Sequence, residues 1–316
     1  MYVQILNVWY NYYGDNMDSN LVIEKEKIFI DQISDKYEYD DNIRHLLYII
    51  IPAFIIKYGI KNESLILNTF RDIRIIKSDK EDKYVKAYFS SRPVYLDGKY
   101  STVKYMVIQN YNKISLIDLL DNLVHEFNHA VNSYREEIRI TKKYIYLRTG
   151  LTFRIYKKES ITFIKKDPSY MLEEIINTKQ TEEIIDIIKS FNDNNRDISN
   201  TIYAINNETN HKYNSNSYYL ESYVCRQILE NRTFINTLAN LRLTGDVYNI
   251  SKWFDDIIGK EGSYKELIRL LNVIYELEIE YSEKKLFKSI TLGKIRKISR
   301  QIMYIVETFN NNVNYR

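Results

Sequence analysis

A chain of 316 residues with 45% hydrophobic and 28% charged residues can bury a sizeable core, and its length admits one large domain or two ordinary ones. Eight glycines and three prolines fall well below typical usage, which argues against linker-rich or loop-rich architectures and for compact helical packing. The net charge of +3 is too small to argue for nucleic acid as a main partner, and a single cysteine, Cys225, excludes an intramolecular disulfide framework and any Cys-x-x-Cys site.

Residues 1–20 lack a basic segment followed by an apolar one, so no secretory signal is expected and a cytoplasmic location is. The most apolar run, 46–56, contains Pro52 and is far shorter than the roughly 20 residues that span a bilayer, so no transmembrane segment is expected. From 19 to 76 the apolar spacing is helical, as in Ile23-Ile30-Ile33 and Ile43-Leu47-Ile50-Phe54, with Pro52 expected to kink or divide the second helix. This stretch reads as a helical N-terminal layer, residues 1–80.

Residues 84–109 turn β-branched and aromatic, and Asp97-Gly98 between two such runs signals a hairpin. Ser115 with Asp118 three residues later has the spacing of a capping box, and a helix is expected over 116–137. Its apolar stripe is Leu116, Leu120, Leu123, Phe127, Ala130 and Val131; its polar stripe carries Asp118, Asp121, Asn122, His125, His129 and Asn132. Residues 144–147 and 151–156 read as a second strand pair joined through Arg148-Thr149-Gly150. After Asp167-Pro168 a helix is expected over 169–191, apolar nearly all round, so that any acid upon it requires a reason. Residues 192–196 and 206–217 read as loops, and helices resume beyond 218, with Leu267, Leu270, Leu271, Ile274, Leu277 and Tyr281 on one stripe. The expected organisation is an α+β, predominantly helical chain: a helical layer over 1–80, a catalytic core over 81–215 and a helical subdomain over 216–316. Seven cations and no acid between 284 and 300 make a solvated helix face or a contact with an anionic partner.

His125-Glu126-Phe127-Asn128-His129 is the H-E-x-x-H arrangement, and it uses two of only four histidines. Imidazoles at i and i+4 of a helix converge on one ion, while Glu126, about 100° around the helix, is free to act as general base on water activated by the metal. Both histidines lie on the polar stripe, where a satisfied core histidine is less expected than a ligand. A hydrolytic zinc site takes three protein ligands. No histidine supplies the third, because the third and sixth residues past His129 are Asn132 and Arg135, not glycine and histidine. A carboxylate remains, with Glu173, Glu174, Glu182 and Glu183 as candidates on the later helix.

These residues resemble the gluzincin group of zinc metallopeptidases, in which H-E-x-x-H lies on one helix and a glutamate ligand on a later one. The resemblance implies a zincin-like core with a small sheet, an active-site helix and a glutamate helix. It also implies one Zn2+ per chain and a peptide or protein substrate. In several gluzincins an aspartate four residues after the ligand orients the first histidine; only Glu182, followed by Asp186, has that spacing here. The implied set is therefore His125, His129 and Glu182 on zinc, Glu126 as base and Asp186 behind the site, with Glu174 the alternative third ligand. The group often adds a second oxyanion donor downstream, for which His211, Tyr218, Tyr219 and Tyr223 are available. The competing expectation is a mainly helical interaction or structural protein in which the motif is coincidental or inactive and Glu126 simply exposed.

Overall fold

The structure, a computed structural model, describes residues 19–80, 85–135, 137–191, 203, 228, 230–283 and 288–314. Three helices come first: α1 (Ser19–Tyr37), α2 (Asp41–Tyr58) and α3 (Glu63–Asp72). Asp40 starts α2 by accepting the Ile43 N–H at 3.1 Å, which satisfies a donor the first turn leaves open. Gly59 ends it at φ +84°, a conformation that favours glycine. The helix does not break at Pro52. Interior proline costs about 3 kcal/mol, but Ile49, Ile50, Ile51 and Phe54 around it are fully buried, each contributing roughly 1.5–3 kcal/mol. Among the described residues no single helix is long and apolar enough to cross a membrane; α2 and the segment 60–72 pass that test only as a pair bent by 113°.

The first sheet contains β1 (Ile73–Lys77), β2 (Ala87–Leu96) and β3 (Lys99–Ile108) in the order β1-β3-β2. The Asp97-Gly98 hairpin forms as expected, pairing Leu96 with Lys99, and both turn residues have positive φ, as a two-residue turn of the I′ type requires. Strand β1 departs from the helical spacing expected through residue 76. Ile73 and Ile75 alternate buried with exposed Arg74 and Ile76, a period of two, and parallel pairing with β3 uses that alternation. Strand β2 is the outer strand, so one row of its backbone groups faces away from the sheet.

Helix α4 (Leu116–Val131) follows, capped by Ser115, whose Oγ accepts the Asp118 N–H. It stops well short of residue 137. Asn132 Nδ2 and Ser133 Oγ take the carbonyls of Asn128 and His129, so side chains satisfy the last turn where further helix would have done so.

The second sheet is antiparallel, β4 (Ile138–Ile140), β5 (Tyr144–Thr149), β6 (Thr152–Lys157) and β7 (Thr162–Lys166) in that order. Its central pair is the one the sequence predicts. The two outer strands escape prediction because they are short and largely exposed, which leaves no clear alternation to read.

Helix α5 (Tyr170–Lys189) explains its own composition. Leu172, Ile175 and Ile176 join a core with the C-terminal helices, whereas Ile184, Ile185 and Ile188 join the core built from α1 to α4. It bridges the two clusters and must be apolar on several sides. The C-terminal helices are α6 (Arg232–Thr244), α7 (Ile250–Ile258), α8 (Ser263–Glu283) and α9 (Lys288–Asn314). Leu267, Leu270, Leu271 and Ile274 are buried as their spacing predicts. Of the cations in the basic stretch, Lys294, Arg296, Lys297 and Arg300 are exposed on α9; Lys284 and Lys285 lie outside the described residues. The architecture is α+β and predominantly helical.

Candidate metal centre

His125 and His129 emerge one turn apart from the same side of α4, and both are buried. Helix α5 crosses in front of them. It places Glu174 Oε2 3.2 Å from His125 Nε2 and 3.3 Å from His129 Nε2, and the ligand atoms of these three residues lie within 4.8 Å of one another. A tetrahedral ion bonded at about 2.0–2.1 Å sets its ligand atoms roughly 3.3–3.4 Å apart, so the Glu174 distances match two edges of such a tetrahedron. Two imidazoles and one carboxylate are a donor set that zinc accepts. The residues present fit the metal.

The carboxylates shape the site's electrostatics. Burial would push His129 down, yet Glu174 and Glu173 beside it outweigh burial and raise it to about 10. Burial would likewise raise Glu174, and the two histidines instead hold it well below the usual carboxylate range. A positive charge is thus favoured between these groups. A metal ion held there would take the place of that positive charge.

Glu173, next to Glu174, approaches the opposite side of the His129 ring. Its Oε1 lies 2.8 Å from His129 Nδ1, a contact that orients an imidazole whose Nε2 faces Glu174. Three other groups seat this carboxylate. The Leu151 N–H donates to Oε2 at 2.8 Å, Arg242 Nη2 donates to Oε1 at 2.5 Å, and Gly150 lies against it. Arg242, which is fully buried, also donates to Asn177 Oδ1 at 2.8 Å and to Gln180 Oε1. Removing one partner from a buried ion pair of this kind typically costs about 3–5 kcal/mol, because the other charge is stranded.

A second row of buried amides locks the two helices together. Asn128, inside the motif, donates to Asn177 Oδ1 at 2.8 Å and accepts from the Tyr58 hydroxyl; Asn177 Nδ2 donates to the His125 carbonyl at 3.0 Å. Asn132 donates to Tyr58 at 2.8 Å. The polar stripe of α4 is therefore not a solvent face from His125 onward. It is a buried, hydrogen-bonded interior in which Asn132 Oδ1 alone of these amide oxygens lacks a partner.

Glu126 is buried too, which departs from the exposed Glu126 of the competing reading. One carboxylate oxygen accepts the outward Phe89 N–H of β2 at 2.6 Å.

Glu182 and Asp186 do not reach the histidines. Glu182 is half-exposed two turns beyond Glu174 and pairs with Lys179 at 3.3 Å, and Asp186 is exposed. Glu183 pairs with Lys57. It is Glu174, not Glu182, that the structure brings to both histidines, and the contact expected of Asp186 on the first histidine is not made; Glu173 instead meets the second, His129. The physical reason is register: Glu173 and Glu174 sit where α5 passes α4 opposite the motif, among buried Leu172, Ile175 and Ile176, whereas Glu182 has turned to solvent. That apolar setting is the signal that singles out the pair. No local signal marks Arg242, which lies far along the chain. His211, Tyr218, Tyr219 and Tyr223 lie outside the described residues.

A cleft of about 400 Å³ between the second sheet and the C-terminal helices, lined by Arg139, Tyr146, Phe153, Asp167, Tyr248 and Tyr264 among others, contains none of the three ligand residues. It adjoins the centre through Leu151, whose N–H holds the Glu173 carboxylate, and through Ser169, whose carbonyl accepts the Glu173 N–H. Comparison of the chain with protein-family models, curated proteins and solved structures finds no match in any of the three.

Proposed function

We propose that this chain is a zinc-dependent metallopeptidase with a zincin-like core, holding one Zn2+ through His125, His129 and Glu174 and using Glu126 as general base. The observation that carries this reading is the buried convergence of those three side chains, with the adjacent glutamate of the motif intact. Zinc held by such a set supplies Lewis acidity toward a carbonyl and a water acidic enough to react at neutral pH. Glu126 would act as the general base toward an attacking water and would return the proton to the departing amine. The Phe89 N–H holds one oxygen of Glu126, which would leave the other to serve as the base. Glu173 orients His129, and Asn177 fixes the backbone of His125.

The raised His129 also favours a second reading, a metal-free pin in which the charged ring bridges Glu173 and Glu174 inside a helical structural protein. Activity separates the two. Zinc-loaded wild-type protein is expected to cleave members of a diverse peptide library, and Glu126→Gln to retain zinc while losing turnover by 100-fold or more, the scale of general-base catalysis at about 10²–10⁴. Retained turnover in Glu126→Gln contradicts the role given to Glu126.

A further inference from the structure

We propose that Arg242, brought in by the C-terminal helix α6, is a positioning residue of this centre: it holds Glu173, and through Glu173 it sets the ring of His129. This rests on the metal reading above. Arg242 meets none of the three ligand residues by hydrogen bond or ion pair, and its guanidinium is instead divided among Glu173 Oε1, Asn177 Oδ1 and Gln180 Oε1. Two of these acceptors themselves touch the motif helix. Glu173 meets His129 Nδ1, and Asn177 bonds both the His125 carbonyl and Asn128. One cation from α6 therefore holds both the carboxylate that meets the His129 ring and the amide that meets the His125 backbone.

The seat is closed from the other side by the β5–β6 turn. A Cβ built at Gly150, where φ is +58°, would lie 2.1 Å from Glu173 Cδ and from both its carboxylate oxygens, so only glycine allows the carboxylate to lie there. The same turn is tied to the motif helix and to α6. Gly150 N–H donates to Ser133 Oγ at 2.9 Å, Ser133 Oγ donates to the His129 carbonyl, and Arg148 Nη1 donates to the carbonyls of Gly150 and Arg242 at 3.0 and 2.9 Å. Glu173 is enclosed by Gly150, Leu151, Arg242 and His129. A carboxylate held on all these sides keeps its place against the His129 ring.

The test measures zinc affinity by competition against a chromophoric chelator, in full-length protein, for wild type, Glu173→Gln, Arg242→Met and the double variant, with circular dichroism confirming the fold. Loss of a group that orients a ligand costs about 10–100-fold in metal affinity, and we expect that loss for each single variant. Because Arg242 acts through Glu173, Arg242→Met is expected to add less than about threefold in the Glu173→Gln background. A merely structural arginine would weaken both backgrounds equally, and that result overturns the proposal. Should Arg242→Met fail to fold, Arg242→Lys, which keeps the charge but loses the fork, is expected to show a smaller loss that again vanishes beside Glu173→Gln; unaltered affinity overturns it. Wild-type protein that binds no zinc overturns the metal reading and this inference with it, whereas zinc-binding wild type with unaffected Arg242 variants overturns this inference alone.

Discussion

Adjacent residues on a helix point about 100° apart, and that single fact gives Glu173 and Glu174 different tasks. Glu174 reaches the Nε2 side of both imidazoles, and Glu173 reaches the Nδ1 side of His129. Glu174→Gln is therefore expected to reduce zinc occupancy severely. Glu182→Gln is expected to leave it at the wild-type level, since Glu182 meets Lys179 near the surface. Elemental analysis of the two variants side by side checks this, and the reverse order would return the third position to Glu182. The convergence of the two histidines was legible because it is written in local spacing. Which carboxylate meets them was legible only as a choice between Glu182 and Glu174, because E-x-x-x-D spacing carried over from other proteins competed with burial, and burial is a property of how α5 crosses α4.

Elements whose ends are fixed by local chemistry matched expectation, as at the Ser115 cap and the Asp97-Gly98 turn. Those fixed by tertiary partners did not: β1 exists because β3 offers it an edge, and α2 survives Pro52 because its surroundings bury it. Asp40 belongs to the first kind and has a pH signature. Burial alone would raise its pKa, but the Ile43 N–H, the Tyr111 hydroxyl and Lys77 outweigh burial and hold it below the usual value. A depressed folded pKa contributes stability that is present above the unfolded value near 3.9 and is lost as pH falls through the folded one. Denaturant melts between pH 6 and pH 2 are expected to show wild type losing more stability than Asp40→Asn over the acid range. Parallel curves would remove Asp40 from the list of acid-sensitive contacts.

At the scale of the whole molecule, the candidate centre lies where separate parts of the chain meet. Tyr58 comes from the N-terminal helices, Phe89 from the first sheet, Gly150 from the second and Arg242 from the C-terminal helices, and all four bear on α4 or α5 around the motif. A ligand bound there is linked to the folding of all of them. At free zinc 100 times its dissociation constant the native state gains about 2.7 kcal/mol, so chelation of zinc-loaded protein is expected to lower the melting temperature and re-addition of zinc to restore it. A melting temperature indifferent to both would argue for the metal-free pin. The most direct measurement is the zinc content of full-length protein purified without a metal-affinity tag, set beside His125→Ala. The account predicts about one zinc per chain in wild type and almost none in the variant; zinc-free wild type, or a variant that keeps its metal, would contradict it.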